Sequence, residues 1–124
     1  MFEFPKKQRL SNEKKIERLF SKNNSLEENP FRIVWRFEKN EDEVSIKSLI
    51  VVPKKRLNLA FERNKVKRII REALRKNKLT LENYLKERNK QINLAIIYQK
   101  EEILYDTIIE EKIKVLLDRL KEDL

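Results

Sequence analysis

The spacing of apolar residues changes between a helical and a strand period several times along the chain, and this alternation restricts the fold more than any other feature. Ile16, Leu19 and Phe20 recur at helical spacing, whereas the β-branched run INLAIIYQ (92–99) is typical of a strand. The whole pattern predicts helices over roughly 12–21, 63–75 and 104–122, a short helix near 81–87, and strands over 31–37, 44–52 and 92–99. This order of elements indicates an α+β fold in a single domain.

The first predicted strand, FRIVWRF, divides its side chains between two faces because successive residues of a strand point in opposite directions. The core-facing set is Phe31, Ile33, Trp35 and Phe37, and the more open set is Arg32, Val34 and Arg36. The polar run KNED (39–42) indicates a hairpin turn before the apolar strand 44–52. We therefore expect these two strands to pair antiparallel.

The segment RNKVKRIIREALR (63–75) combines an apolar stripe with a basic face. The stripe consists of Val66, Ile69, Ile70, Ala73 and Leu74, at the spacing of one helical face. At about 100° per residue, the opposite face carries Asn64, Lys67, Arg68, Arg71 and Arg75. Four cations also recur at i, i+4, where like charges repel one another: Arg63, Lys67, Arg71 and Arg75. A bound polyanion would relieve that repulsion.

The excess positive charge of the chain is concentrated around this segment. The formal net charge is +9 for 124 residues, and residues 54–76 alone contain 10 basic and 2 acidic side chains. Residues 77–124 contain 9 basic and 10 acidic side chains, and the last helix mixes both signs, as a solvated surface does. A nucleic-acid face over 54–76 is favoured over a merely solvated basic surface.

Three missing residue types limit the chemistry of the chain. Without Cys there are no disulfides or thiolate metal sites, and without His the usual general base near neutral pH is absent. Without Gly there are no Walker-type or dinucleotide-binding loops. A self-sufficient enzyme would have to use Asp, Glu, Lys, Ser and Tyr, which argues against a nuclease that acts alone.

Targeting features are also missing from the sequence. The longest aliphatic runs have four residues, and the start MFEFPKKQRL has no apolar signal core. We therefore expect no membrane partner and a cytoplasmic location.

Several of these segments together resemble the signature of the protein component of bacterial ribonuclease P. The hallmark run corresponds to Arg63-Asn64-Lys65, then Lys67-Arg68 and Arg71-Glu72, and it follows VVPKK (51–55) at a short distance. FPKKQRLS (4–11), Phe20 and PFRIV (30–34) extend the likeness toward the start of the chain. Motifs cover about residues 4–76, and the order of elements covers the remainder.

The resemblance implies a specific fold. We expect a single 1–124 domain with an extended basic segment over 1–10. The fold would be an α/β sandwich, ribosomal protein S5 domain 2-like, with the order α-β-β-β-α-β-α. A short extra strand is expected near 24–28. The strand 44–52, the basic helix and the strand 92–99 would form a left-handed βαβ crossover, against the usual hand of such units.

The resemblance also implies a function, namely to support endonucleolytic removal of the 5′ leader of precursor tRNA. The partner would be ribonuclease P RNA, which carries the chemistry and holds Mg²⁺. The protein would supply no catalytic residue, no metal ligand and no tightly bound cofactor, and it would need no obligate protein partner. Residues expected to bind the RNA subunit are Lys54, Lys55, Arg63, Asn64, Lys65, Lys67, Arg68, Arg71 and Arg75. Residues expected to bind the leader are Phe20, Arg32, Val34 and Arg36.

The residues themselves leave other readings open. One is a ribosomal-protein-like RNA-binding module without a catalytic partner. Another is a DNA-binding protein, which is disfavoured because strands flank the basic helix and no helix-turn-helix is evident.

Overall fold

The computed structural model describes residues 8–124, and in this part of the chain four helices pack on one four-stranded sheet. The elements are α1 Glu13–Ser21, β1 Asn24–Glu28, β2 Phe31–Phe37, β3 Ile46–Val51, α2 Ala60–Asn77, α3 Leu79–Glu87, β4 Ile92–Tyr98 and α4 Asp106–Asp123. The predicted α+β class and every predicted element are confirmed, including the short strand expected near 24–28. Most of the basic segment predicted over 1–10 lies outside the described residues.

The predicted hairpin between β2 and β3 is wrong. The strand order is β1-β2-β4-β3, so β4 lies between the two strands and pairs with β2 from Phe31↔Tyr98 to Phe37↔Ile92. β4 is buried along almost its whole length, and a strand apolar on both faces is most stable in the centre of a sheet. The segment 38–45 turns at Asn40–Glu43, where the Glu43 N–H donates to the Asn40 oxygen at 3.0 Å, but it bonds to Gln91 and Ile92 at the start of β4 and does not join a β2–β3 hairpin.

The predicted parallel crossover is confirmed. β3 and β4 are adjacent and parallel, from Ile46↔Ile92 to Val51↔Ile97, and α2 and α3 connect them. The left hand of this crossover stays a prediction.

The main core lies between one face of the sheet and the helices α2, α3 and α4. Four of the five predicted stripe residues of α2 are buried there, and Ile69 is half-buried at the margin. One core prediction is wrong: Phe37, the last residue of β2, is 42% exposed. Its ring meets Trp35 edge-on, with ring centroids 5.3 Å apart, and the Lys90 ammonium lies 4.7 Å from its centroid.

Helix α1 lies against the opposite face of the sheet. Leu19 packs there with Val34 of β2, Ala95 of β4 and Leu10, and all four are buried. Asn12 begins the helix by accepting a hydrogen bond from the backbone N–H of Lys15 at 3.1 Å. The face predicted to be open is therefore covered at its centre, and its margins remain accessible.

Two turns require a left-handed backbone that glycine would usually provide. Because the chain has no Gly, Glu43 (φ 58°) and Asn89 (φ 52°) occupy these positions. Asn89 follows the end of α3, where such a conformation is common and Asn tolerates it. Glu43 has a Cβ that opposes this conformation.

Candidate nucleic-acid interface

The start of α2 is fixed by one of the predicted RNA-binding residues. The N-cap Leu59 offers no side-chain hydrogen bond to the helix. Arg63 instead donates from Nη1 to the backbone oxygens of Leu57 and Asn58, at 2.9 and 2.8 Å. The side chain of Leu57 is buried. The loop before α2 is therefore anchored in the core by Leu57 and at the surface by the hydrogen bonds from Arg63. Arg63 therefore has a structural role in addition to any contact with RNA.

The outer face of α2 and the loop before it carry cations that no acid balances. Lys54, Lys55, Lys65 and Arg68 are exposed, and Lys67 and Arg71 are half-buried. None of these six forms an ion pair with a carboxylate within residues 8–124. Asn64 is exposed on the same helix, where its amide could bond to a base or sugar edge. Most of the predicted basic face therefore has no acidic partner within residues 8–124.

Arg75 differs from the other predicted cations because it is paired within the helix. Its Nε and Nη2 atoms donate to the two carboxylate oxygens of Glu72 at 3.0 and 2.7 Å. The hydrogen bonds of this pair raise the pKa of Arg75 and lower the pKa of Glu72. Arg75 would consequently contribute less net charge to an RNA contact than Arg68.

Arg9 comes from the basic segment predicted over 1–10 and adds to the basic surface, although it was not among the residues expected to bind RNA. It forms an isolated parallel bridge with Ser48 of β3, next to the hydrogen bond from the Leu10 N–H to the Ser48 oxygen at 2.9 Å. Partial burial, and then the like charge of Arg9, lower the pKa of Arg71. Arg9 therefore adds a further cation near Arg71, at the outer edge of the sheet beside β3. No local pattern reveals this, because the register of residue 9 on β3 is a long-range feature.

A second candidate surface is the margin of the sheet face that α1 leaves uncovered. Phe20, near the end of α1, is 45% exposed, and Arg32 of β2 is exposed. Arg32 lies in a cross-strand row with Ile97 of β4 and Val51 of β3, which are half-buried. Ile97 and Val51 were not predicted, because only the strand order places them beside Arg32.

The other two predicted leader residues hold α1 to the sheet. Val34 is 2% exposed beneath α1, so the helix, and not solvent, covers its side chain. Arg36 is half-buried; its Nη1 donates to the Arg18 oxygen at 3.2 Å, and its Nε lies 3.5 Å from Glu38. Arg18 bonds to the same Glu38 carboxylate, with its Nε at 2.9 Å. The two exposed residues, Phe20 and Arg32, are the better placed for a ligand.

Comparison with known proteins gives one consistent result. Residues 4–121 match the family described as Ribonuclease P. A protein of Porphyromonas gingivalis named ribonuclease P protein component is 32% identical over 120 residues, covering 96% of this chain and 87% of the relative. The solved RNase P protein from Thermotoga maritima is 27% identical with a TM-score of 0.70, and the match covers 90% of this chain and 96% of that chain. The Staphylococcus aureus RNase P protein has the same fold, with 21% identity and a TM-score of 0.67 over 92% of this chain and 95% of that chain.

Within residues 8–124, no helix is both long enough and apolar enough to cross a membrane.

Proposed function

Since the chain belongs to the ribonuclease P protein family, we propose that it binds the catalytic RNA of ribonuclease P through α2 and the 5′ leader of precursor tRNA through the margin of α1. The chain is a protein component of ribonuclease P and takes part in tRNA processing.

The unneutralised cations of α2 and its preceding loop carry the proposal for the RNA subunit. Each cation that contacts a phosphate releases condensed counterions from the RNA, which favours binding at low salt. Lys54, Lys55, Lys65 and Arg68 are exposed, so their charged ends are accessible to a phosphate. The apolar stripe of α2 is buried in the core, so the helix would present these side chains on a rigid support.

The margin beside α1 suits a single-stranded leader. An exposed aromatic ring can stack on an unpaired base, and an exposed Arg on the sheet face that α1 covers can contact a phosphate of the same strand. Phe20 and Arg32 are the candidates for these two roles, with Ile97 and Val51 as an apolar floor. Val34 and Arg36 would act indirectly, by holding α1 in position.

We place the hydrolytic chemistry on the RNA subunit. Within residues 8–124, no group of three or more acidic side chains is gathered as a protein metal site would require. Mg²⁺ would be held mainly by the RNA and would activate water for attack on the phosphodiester. The basic face would assist by reducing the repulsion between phosphates of the RNA subunit and the substrate.

Reconstitution tests the proposal. The protein is added to a ribonuclease P RNA at a magnesium concentration too low for the RNA alone to act, and leader release from precursor tRNA is measured. We expect the protein to restore cleavage. Binding to the RNA without restored cleavage would favour an RNA-binding module with no catalytic partner.

A further inference from the structure

Phe61 is an exposed aromatic residue in the first turn of α2. Its side chain is 70% exposed, and Leu59 two residues earlier is 49% exposed. Among the exposed large apolar residues of the described chain, only these two lie within the strongly basic segment 54–76. The basic surface therefore ends in an apolar patch that no other part of residues 8–124 covers.

Phe61 shares one helical face with the cations of α2. Residues at i, i+3, i+4 and i+7 are neighbours on a helix surface, which places Asn64, Lys65 and Arg68 beside Phe61. All three are exposed like Phe61. An RNA strand that contacted Lys65 and Arg68 through its phosphates would have its bases within reach of the ring.

The ring is presented on a fixed support. Phe61 lies between the N-cap Leu59 and Arg63, whose guanidinium holds the oxygens of Leu57 and Asn58. The Arg63 N–H also bonds to the Leu59 oxygen at 3.2 Å, which closes the first turn. The backbone that carries Phe61 would therefore need little ordering when a ligand binds, which lowers the entropic cost of the contact.

We propose that Phe61 stacks on an unpaired base of the RNA bound by α2. This inference rests on the proposed function, because it adds an aromatic stacking contact to a surface whose other candidate contacts are charged or polar. The dense positive charge around the ring favours a nucleic acid as its occupant, because an ordinary protein surface would leave those charges unpaired. Every base has an aromatic face, so the contact would increase affinity with little sequence preference.

Substitution at Phe61 tests the proposal through affinity and salt dependence together. We expect Phe61→Ala to weaken binding to a ribonuclease P RNA by between about 5-fold and about 150-fold, the range for the loss of one stacked base. The salt dependence should keep its slope, because no phosphate contact is removed. Phe61→Trp should bind as tightly as the wild type or more tightly. Leu79→Ala is the matched control, because Leu79 is 65% exposed but lies outside the basic segment. This substitution should change neither the affinity nor the salt slope.

Fluorescence of the Phe61→Trp variant tests the contact directly. The only native tryptophan, Trp35, is 4% exposed and provides a constant background. Stacking on a base should quench the new emission when RNA is added, whereas Leu79→Trp should be unaffected. Unchanged affinity of Phe61→Ala, or unquenched emission at position 61 while the RNA is bound, would overturn the stacking assignment alone. Failure of the wild-type protein to bind the RNA would overturn the proposed function as well.

Discussion

The exposed cations of α2 make a quantitative prediction about salt. In the double variant Arg68→Ala with Arg71→Ala, two positive charges without acidic partners in residues 8–124 are removed. Each phosphate contact contributes about 0.7 to about 0.9 to the slope of log K against log salt, the lower value being for single strands. We therefore expect the slope for binding ribonuclease P RNA to become shallower by about 1.4 to about 1.8.

The same arithmetic gives a change in affinity that can be measured at two salt concentrations. If both arginines contact phosphate, the ratio of the wild-type binding constant to that of the double variant should fall by about 7-fold to about 12-fold between 50 and 200 mM salt. The free protein should stay folded, because Arg68 is exposed and the loss of Arg71 removes its repulsion from Arg9. Melting temperatures of the free variants check this point.

A charge-matched control separates contact from general attraction. Lys112→Ala with Arg119→Ala also removes two positive charges, but on the side of α4 that pairs with Glu28 of β1. Filter binding or fluorescence anisotropy over a salt series should show a nearly unchanged slope for this control. Equal slopes for both double variants, or a wild-type slope in the Arg68 and Arg71 variant, would refute the assignment of α2 as the phosphate-binding face.

Three further predictions concern other parts of the molecule. Phe20→Ala should weaken the affinity of the reconstituted enzyme for precursor tRNA but not for mature tRNA, because only the precursor carries a leader; equal losses for both would exclude the leader assignment. Burial raises the pKa of Tyr98 above its ordinary value of 10.0, and the Tyr98 hydroxyl donates to the backbone carbonyl oxygen of Glu102 at 2.7 Å. Since the folded pKa is the higher one, the stability contributed by the neutral hydroxyl is intact below about pH 10 and is lost as the pH rises through the folded value. Tyr98→Phe should therefore lower the free energy of unfolding by about 1 to 2 kcal/mol at neutral pH and lose less stability at alkaline pH, and denaturation at a series of pH values decides whether it does. Glu43→Gly should raise the free energy of unfolding by up to about 1 kcal/mol, because Gly accepts a positive φ without a Cβ clash; a lower midpoint in urea would contradict this explanation.

The sequence contains most of the information that determines α2. The apolar stripe and the basic face both follow from spacing within one helix, so Val66, Ile70 and Arg68 lie where the pattern predicts them. The roles of Arg63 and Arg75 were only partly foreseen. Their hydrogen bonds to Leu57, Asn58 and Glu72 depend on the exact start and turn of the helix.

The sheet was harder to predict because its pairing joins distant segments. Local turn signals favoured a β2–β3 hairpin, but the apolar content of β4 on both faces places it between them. The same long-range order decides that α1 covers Val34 and that Ile97 lies beside Arg32. A pattern of alternating side chains identifies a face of a strand but does not reveal which helix covers it.

Placement of the RNA against α2 can be measured directly because the chain contains no cysteine. A photo-crosslinker attached to the single thiol of Asn64→Cys would report the nucleotides near the exposed middle of the basic face. The same reagent on Lys112→Cys reports the opposite side, toward β1. We predict efficient crosslinks from position 64 to a few nucleotides of ribonuclease P RNA and few from position 112. Crosslinks from position 112 alone, or equal yields from both positions, would contradict the central claim that α2 binds the catalytic RNA.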